Sequence, residues 1–208
     1  HRFAAKLLRD AGVEDYNACL WAGNCKKICL NTAGRGAFTT TQIARAKRTV
    51  YKLLHPELFA TQMVMEVQSL EKRAKRKGMT PCVRPNGTTD EDYRWLFGLF
   101  PNLQFYDYTK SLKRLLNNNR ANYHLTFSYD GTAGNQSACR RALQGGHNVA
   151  IAFRGGADAW PDEVYGHRVI NGDNLHGDLR FKDEEGVVVG LSAKGKARRD
   201  TSGFVWKD

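Results

Sequence analysis

The sequence predicts an α/β protein folded as a partial or closed (β/α) barrel with mainly parallel strands. From residue 81 onward, short apolar runs alternate with polar loops and amphipathic stretches, as is typical of consecutive βα units. No glycine-rich dinucleotide fingerprint follows any of these runs, which favours a barrel over a doubly wound sheet. No long Pro-, Gly- or Ser-rich linker interrupts the chain. We therefore expect a single βα-barrel-like domain over residues 1–208.

Two helices are predicted before the first strand. Apolar side chains recur at helical spacing between residues 43 and 53, and Thr39 to Thr41 offer hydroxyl groups that could cap this helix. Pro56 ends it and can occupy the first position of a second helix. Gly78 is expected to terminate that second helix.

Six strands are predicted after the two helices. The predicted strands cover residues 81–84, 103–108, 122–127, 148–153, 168–170 and 187–191, with helices at 90–100, 111–116 and 135–143. In parallel barrels the functional groups gather in the loops that follow the carboxyl ends of the strands. The chain is thus divided into a cysteine loop (19–36), βα units (41–191) and a basic tail (192–208).

The charge balance predicts an anionic partner. The chain has 32 Lys and Arg residues against 21 Asp and Glu residues, a net charge of +11. Its apolar runs are far shorter than a membrane span, which excludes a membrane protein. We expect a cytoplasmic protein, in the host cytoplasm if a phage encodes it, that binds an anionic small molecule, a nucleotide or a nucleic acid. Its oligomeric state is not predictable from the sequence.

Cys19, Cys25 and Cys29 are clustered in the most basic part of the chain, since no acidic residue occurs between Asp15 and Glu57. Thiolates are soft ligands that suit zinc or an iron–sulfur cluster. Three of them could hold three irons of a cubane and leave the fourth iron open. Zinc binding and three ordinary thiols are the alternatives, because no second cysteine pair completes a zinc site. The odd total of five cysteines argues against a disulfide framework and for a reducing compartment.

Two further groups are candidates for catalysis. Asp173 and His176 form, with Asp178, a carboxylate–imidazole–carboxylate sequence that could orient a general base or bind a hard metal. An Asx-rich turn between strands is the alternative. Lys110 follows a predicted strand and could bind a carboxylate or phosphate, unless it is only a residue of a helix surface.

Several motifs together resemble an uncharacterised, mostly bacteriophage-encoded protein family over nearly the whole chain. They are the cysteine loop, LNTAGRG (30–36), RPNGT (84–88), QFYDYTK (104–110), NYHLTFS (122–128) and GLSAKGKA (190–197). Their order is similar to that of the radical SAM barrel. That resemblance implies that Cys19, Cys25 and Cys29 bind a [4Fe–4S] cluster.

The same resemblance implies further cofactor contacts. Asn86, Gly87 and Thr88 would meet the amino group of S-adenosylmethionine (SAM), and Asn171 and Gly172 would lie near its adenine. The cysteine spacing here, x5 then x3, differs from the usual x3 then x2 of radical SAM enzymes.

These features support two functional hypotheses. The first is an iron–sulfur, radical SAM-like enzyme of phage type that acts on an anionic substrate, with Asp173, His176 and Lys110 as catalytic residues. The second is a basic nucleic-acid-binding protein without catalysis, in which the cysteines bind a structural zinc ion.

Overall fold

Helices and a seven-stranded sheet make up the chain in a computed structural model, which describes residues 2–13, 15–174 and 178–207. The helices are α1 (Arg2–Asp10), α2 (Cys25–Ile28), α3 (Thr39–Leu54), α4 (Pro56–Arg76), α5 (Arg94–Leu99), α6 (Leu112–Leu116) and α7 (Ala133–Gln144). The strands are β1 (Cys82–Val83), β2 (Gln104–Thr109), β3 (Tyr123–Ser128), β4 (Val149–Phe153), β5 (Glu163–Val164), β6 (His167–Asn171) and β7 (Val188–Ser192). All six predicted strands are present.

The sheet has the strand order β1-β2-β3-β4-β7-β6-β5. Every neighbouring pair is parallel except β5 with β6. The predicted α/β class with mainly parallel strands is therefore confirmed. The pairing does not close the sheet within the described ranges, so the predicted barrel is not confirmed. The last strand, β7, lies between β4 and β6 rather than at an edge.

Strand β5 was not predicted. It pairs with β6 through a two-residue turn in which both Tyr165 and Gly166 have positive φ, 56° and 76°. Such a turn matches the twist of an antiparallel hairpin. A strand of only two residues carries no recognisable alternation of apolar and polar side chains, so the sequence pattern missed it.

The main core lies between the sheet and the helices that connect its strands. Phe97 of α5 packs its ring against Phe105 and Tyr123, with ring centroids 4.5 Å and 4.1 Å apart. Leu143 of α7 and Ile151 of β4 are also fully or almost fully buried. Each large apolar side chain buried in this way contributes on the order of 2 kcal/mol to the free energy of unfolding. The core fixes the strand ends in place.

Helices α3 and α4 precede the sheet, as predicted. Pro56 occupies the first turn of α4, and Gly78 follows the end of that helix. The predicted hydroxyl cap of α3 is wrong, because Phe38 takes the capping position and its side chain makes no capping hydrogen bond. No helix in the described ranges combines the length and the apolar composition needed to cross a membrane.

The predicted basic tail is packed against the rest of the molecule. Val205 forms a parallel bridge with Ala152 of β4 and is fully buried. Ala193, Ala197 and Val205 form a small apolar cluster against which Ile28 of α2 packs. The C-terminal segment therefore holds the cysteine segment against the carboxyl edge of the sheet.

Candidate functional site

A cavity of about 490 Å³ opens at the carboxyl ends of the parallel strands. It is lined by residues that follow or end β1, β2, β3, β6 and β7 and by the cysteine segment. Among them are Cys19, Cys25, Cys29, Gly87, Thr88, Lys110, Ser128, Gly172, Asp173 and Lys194. The structure thus brings together eight of the residues predicted from the sequence as ligands, cofactor contacts or catalytic groups. We take this cavity as the candidate site.

Helix α2 gives the cysteine segment its orientation. Cys25, Ile28 and Cys29 have the i, i+3, i+4 spacing that places side chains on one face of a helix, and all three line the cavity. Cys19 belongs to the preceding turn, where its backbone N–H donates to the Asn17 side chain at 3.0 Å. The Asp90 N–H donates to the Ala18 carbonyl at 2.9 Å, which joins this turn to the loop after β1.

A close approach between Gly23 and Asp130 fixes the cysteine segment on the side of the loop after β3. A Cβ atom at Gly23 would lie 2.1 Å from a carboxylate oxygen of Asp130, which follows β3. Only glycine therefore fits beside Asp130 without displacing that side chain. The Asn24 side-chain amide donates to the Ser202 carbonyl at 2.9 Å. The cysteines are thus held between the β3 loop and the C-terminal segment.

Burial and neighbouring charges shift the pKa values of the Cys19 and Cys25 thiols. Burial, together with the nearby Cys25, raises the pKa of Cys19 to about 11, and burial also raises the pKa of Cys25. The Lys110 ammonium opposes both shifts and lowers each pKa. In the absence of a metal, both groups are protonated thiols at neutral pH. Metal binding must therefore release protons.

Lys110 lies at the end of β2, as expected for a catalytic candidate. Its ammonium group donates to the Ser128 hydroxyl at 2.7 Å, which aims the side chain along the carboxyl edge of the sheet. Its backbone N–H donates to the Asp90 carboxylate at 2.8 Å. The alternative interpretation of Lys110 as a helix-surface residue does not describe this position, because the side chain lines the cavity.

The three predicted residues in the loop after β1, Asn86, Gly87 and Thr88, have two different roles. Gly87 and Thr88 line the cavity. Asn86 is buried, and its side-chain amide donates to Asp107 at 2.9 Å and to the Glu91 carbonyl at 3.0 Å. Asn86 therefore holds the loop in shape, and it is not among the cavity-lining residues.

The loop after β6 contains Asn171, Gly172 and Asp173. Asn171 accepts a hydrogen bond from the Asp173 N–H at 3.1 Å, which forms an Asx turn. The Asp173 carboxylate accepts hydrogen bonds from the Ser192 N–H at 2.7 Å and from the Lys194 ammonium at 2.8 Å. Burial acts to raise the pKa of Asp173, but these hydrogen bonds outweigh it and lower the pKa. Asp173 is consequently ionised, and its carboxylate is already occupied by hydrogen bonds from Ser192 and Lys194. His176 lies outside the described residues.

Arg84 and Tyr108 line the cavity but were not among the site residues predicted from the sequence, whereas Asp178, which also lines it, was part of the predicted Asp173–His176–Asp178 group. Arg84, directly after β1, lies over the ring of Tyr108 with its guanidinium carbon 4.6 Å from the centroid. Arg84 also forms an ion pair with Asp178, and the Tyr108 hydroxyl donates to Asp178 at 2.7 Å. The sequence signal for Arg84 and Tyr108 was their position at strand carboxyl ends, the same signal that identified Lys110.

The described residues contain no group of three His, Cys, Asp or Glu side chains arranged as ligands of a single ion. A second cavity, of about 710 Å³, shares Asp90 with the first and contains Tyr16 and Trp21. Three of its four basic side chains are paired with acidic ones: Lys52 with Glu91, Arg94 with Asp92, and Arg114 with Asp90. The eight predicted ligand, cofactor-contact and catalytic residues named above line the smaller cavity.

The sequence profile of the Gene product 88 family matches residues 3–208. The chain belongs to the Gene product 88 family. This confirms the expected membership of an uncharacterised family over nearly the whole chain. No curated protein and no solved structure matches this member of the Gene product 88 family, so its site is interpreted from its own geometry.

Proposed function

We propose that this member of the Gene product 88 family is an iron–sulfur enzyme, similar to radical SAM enzymes, that acts on an anionic substrate in the cavity. The observation that carries the proposal is the shared position of Cys19, Cys25 and Cys29 with the loops after β1, β2, β6 and β7 around one cavity. The carboxyl edge of a parallel sheet is the usual place for an active site.

The three thiols suit a [4Fe–4S] cluster. A cubane offers a separate iron to each thiolate, so it needs thiols distributed around a cavity rather than converging on one point. Cys25 lies on the cavity face of α2, Cys29 follows the end of this helix, and Cys19 lies on the preceding turn; all three line the cavity. Their donor chemistry favours iron or zinc over hard metals. Because burial raises the pKa values of Cys19 and Cys25, the metal–thiolate bonds would have to offset the cost of deprotonating both thiols.

Such a cluster would supply an electron to a bound cofactor, and the resemblance implies that this cofactor is SAM. At the cavity the chain provides two cations. Lys110 is oriented by Ser128, and Lys194 is oriented by Asp173. Both line the cavity and can neutralise carboxylate or phosphate groups of a bound molecule. In this proposal Asp173 acts by positioning Lys194, since its carboxylate is ionised and already hydrogen-bonded.

The cavity walls offer polar backbone for binding a ligand and apolar surface that excludes water. Gly87 presents backbone at its surface without a side chain, and Ala150, Ala152 and Leu191 contribute apolar surface. A pocket with a few polar groups on apolar walls fixes the orientation of a ligand. Thiols that bind a cluster require a reducing environment, which fits a cytoplasmic location.

The experiment is anaerobic reconstitution of the full chain with iron and sulfide. We expect about four irons per chain, as a [4Fe–4S] cluster requires, together with its broad visible absorbance. Cys25→Ala should abolish both signals. Cys82→Ala is the matched control, because Cys82 is likewise half-buried but does not line the cavity, and this variant should retain the cluster.

Two results would contradict the proposal. One is a colourless protein that takes up one zinc ion per chain and no iron, which would support the zinc-stabilised alternative. The other is equal iron content in wild type, Cys25→Ala and Cys82→Ala, which would show that the iron is not bound at this site.

A further inference from the structure

The outer face of α2 is basic. Cys25, Ile28 and Cys29 face the cavity, and the intervening Lys26 and Lys27 are exposed. The alternation follows from helix geometry, since residues at i+1 and i+2 point away from the face formed by i, i+3 and i+4. Helix α2, which carries Cys25 and is followed directly by Cys29, therefore presents two cations to solvent beside the cavity.

The 3₁₀ turn Gly195–Arg199 adds a second group of cations at the same place. Ala197 is buried in the cluster that contacts Ile28, and Lys196, Arg198 and Arg199 are exposed. A Cβ atom at Gly195 would lie 2.7 Å from the Cβ of Ala33, so this turn also touches the cysteine segment. We call the combined surface the basic rim: Lys26, Lys27, Lys194, Lys196, Arg198 and Arg199.

The basic rim carries little compensating negative charge. Lys194 is paired with Asp173. The remaining five cations form no salt bridge with any residue that the structure describes. The nearby Asp200 is buried, and its carboxylate accepts hydrogen bonds from Ser202 and Val205. A concentration of unpaired cations produces a field that attracts a polyanion.

Exposed aromatic rings belong to the chain segment that carries the cysteines. Trp21 is 54% exposed, follows Cys19 by two residues and lines the neighbouring second cavity, and Phe38 is 59% exposed within the same acid-free stretch. Aromatic side chains beside a basic groove are the usual means of binding single-stranded nucleic acid, because every base can stack on a ring. An acidic protein is the alternative partner, and the poly-glutamate competition described below tests it.

We propose that the basic rim binds the backbone of a single-stranded nucleic acid and presents one of its nucleotides to the cavity. The proposed binding of nucleic acid is argued from the basic rim alone. The proposed presentation of a nucleotide for reaction rests on the proposed function. A cavity of about 490 Å³ is in the size range of small-molecule sites. Enzymes that act on a base require it to be unstacked, which a single strand permits at little cost.

The first test measures binding of fluorescein-labelled oligo(dT) by anisotropy over a range of salt concentrations. Lys26→Gln/Lys27→Gln is compared with Lys72→Gln/Lys75→Gln, a pair of exposed residues near the end of α4 that removes the same charge. Loss of two phosphate contacts should reduce the slope of log K against log salt by about 1.4. The control pair should leave the slope unchanged.

The second test separates stacking from charge. Trp21→Ala should weaken oligo(dT) binding roughly tenfold without changing the salt slope, as expected for loss of base stacking. Trp95→Ala is the control, because Trp95 is 43% exposed but belongs to α5. Its affinity should equal that of the wild type.

Three results would overturn the inference. The first is an equal loss of oligo(dT) affinity in Lys26→Gln/Lys27→Gln and in Lys72→Gln/Lys75→Gln. The others are displacement of labelled oligo(dT) by a DNA duplex, or by poly-glutamate, as effectively as by unlabelled oligo(dT). Cys25→Ala keeps the rim cations and should still bind oligo(dT). In the wild type, oligo(dT) binding without iron uptake would contradict only the proposed function, and iron uptake without oligo(dT) binding would contradict only this inference.

Discussion

At the scale of single residues, Lys110 is the side chain that connects the sheet to the cysteines. Its ammonium group lowers the pKa values of Cys19 and Cys25, which burial otherwise raises. Because the thiolate is the reactive form of cysteine, Lys110 should increase the reactivity of both thiols in the metal-free protein.

We expect Lys110→Met to slow the alkylation of Cys19 and Cys25 by iodoacetamide a few-fold at mildly alkaline pH. The rate at each cysteine would be measured by mass spectrometry of its peptide. Lys113→Met is the control, since Lys113 is exposed on α6 and is not among the groups that shift these two thiols. Equal rates in the wild type and Lys110→Met would contradict the electrostatic role.

The residues predicted for the site illustrate what sequence position can indicate. Lys110, Gly87 and Gly172 were identified because they follow strands, and all line the cavity. Asn86 follows a strand too, but its amide satisfies buried backbone and carboxylate groups of its own loop. The sequence does not distinguish these outcomes, because the same polar groups can serve a ligand or the fold. The pairing of Arg84 with Asp178 joins segments far apart in the chain and left no local pattern.

At the scale of elements, the loops after the strands depend on a few close approaches. Gly131, after β3, has φ of 82°, and a Cβ atom there would lie 2.1 Å from the carbonyl oxygen of Gly203. The contact joins the β3 loop to the C-terminal segment that holds the cysteines. Since the neighbouring atom is backbone, no rotation of a side chain can relieve a clash.

We expect Gly131→Ala to lower the free energy of unfolding by roughly 3 kcal/mol, from the left-handed conformation and the steric clash. Gly134→Ala is the matched control. Gly134 lies in the first turn of α7 with open space around its Cα, so alanine should be neutral or stabilise by up to about 0.5 kcal/mol. Urea unfolding measures both. Equal midpoints for the two variants would contradict the packing described.

The regular elements were predicted because their patterns are local. The apolar runs of β2, β3, β4 and β7 and the Pro56 and Gly78 that bound α4 can each be recognised within a few residues. The position of β7 between β4 and β6 depends on pairing between distant segments, which no local pattern records. The predicted barrel followed from the series of βα units without a dinucleotide fingerprint, and neither observation specifies the order in which the strands pair.

At the scale of the whole molecule, one buried carboxyl group affects stability. Burial raises the pKa of Asp107 to about 6, although hydrogen bonds from Asn86 oppose the shift. Between about pH 4 and pH 6 the folded chain therefore holds a proton that the unfolded chain has released. The contribution of Asp107 to stability is present at low pH and is lost as the pH rises through about 6.

We expect the stability of the wild type relative to Asp107→Asn to decrease by on the order of 3 kcal/mol between pH 4 and pH 7. Asp92→Asn should show the opposite sign. Burial acts to raise the pKa of Asp92, but hydrogen bonds from Arg94 outweigh it and lower the pKa. Denaturant unfolding at several pH values measures both differences. A pH-independent difference for Asp107→Asn would contradict the assignment.

The central position of β7 has a consequence for how the protein matures. While the ribosome is still synthesising residues before 188, β4 and β6 lack their common neighbour. Residues 193–205, which hold the cysteine segment, emerge later still. The nascent chain can therefore form helices and the β1–β4 half of the sheet, but not the cavity. Any cofactor assembly at Cys19, Cys25 and Cys29 would have to follow translation of this last segment.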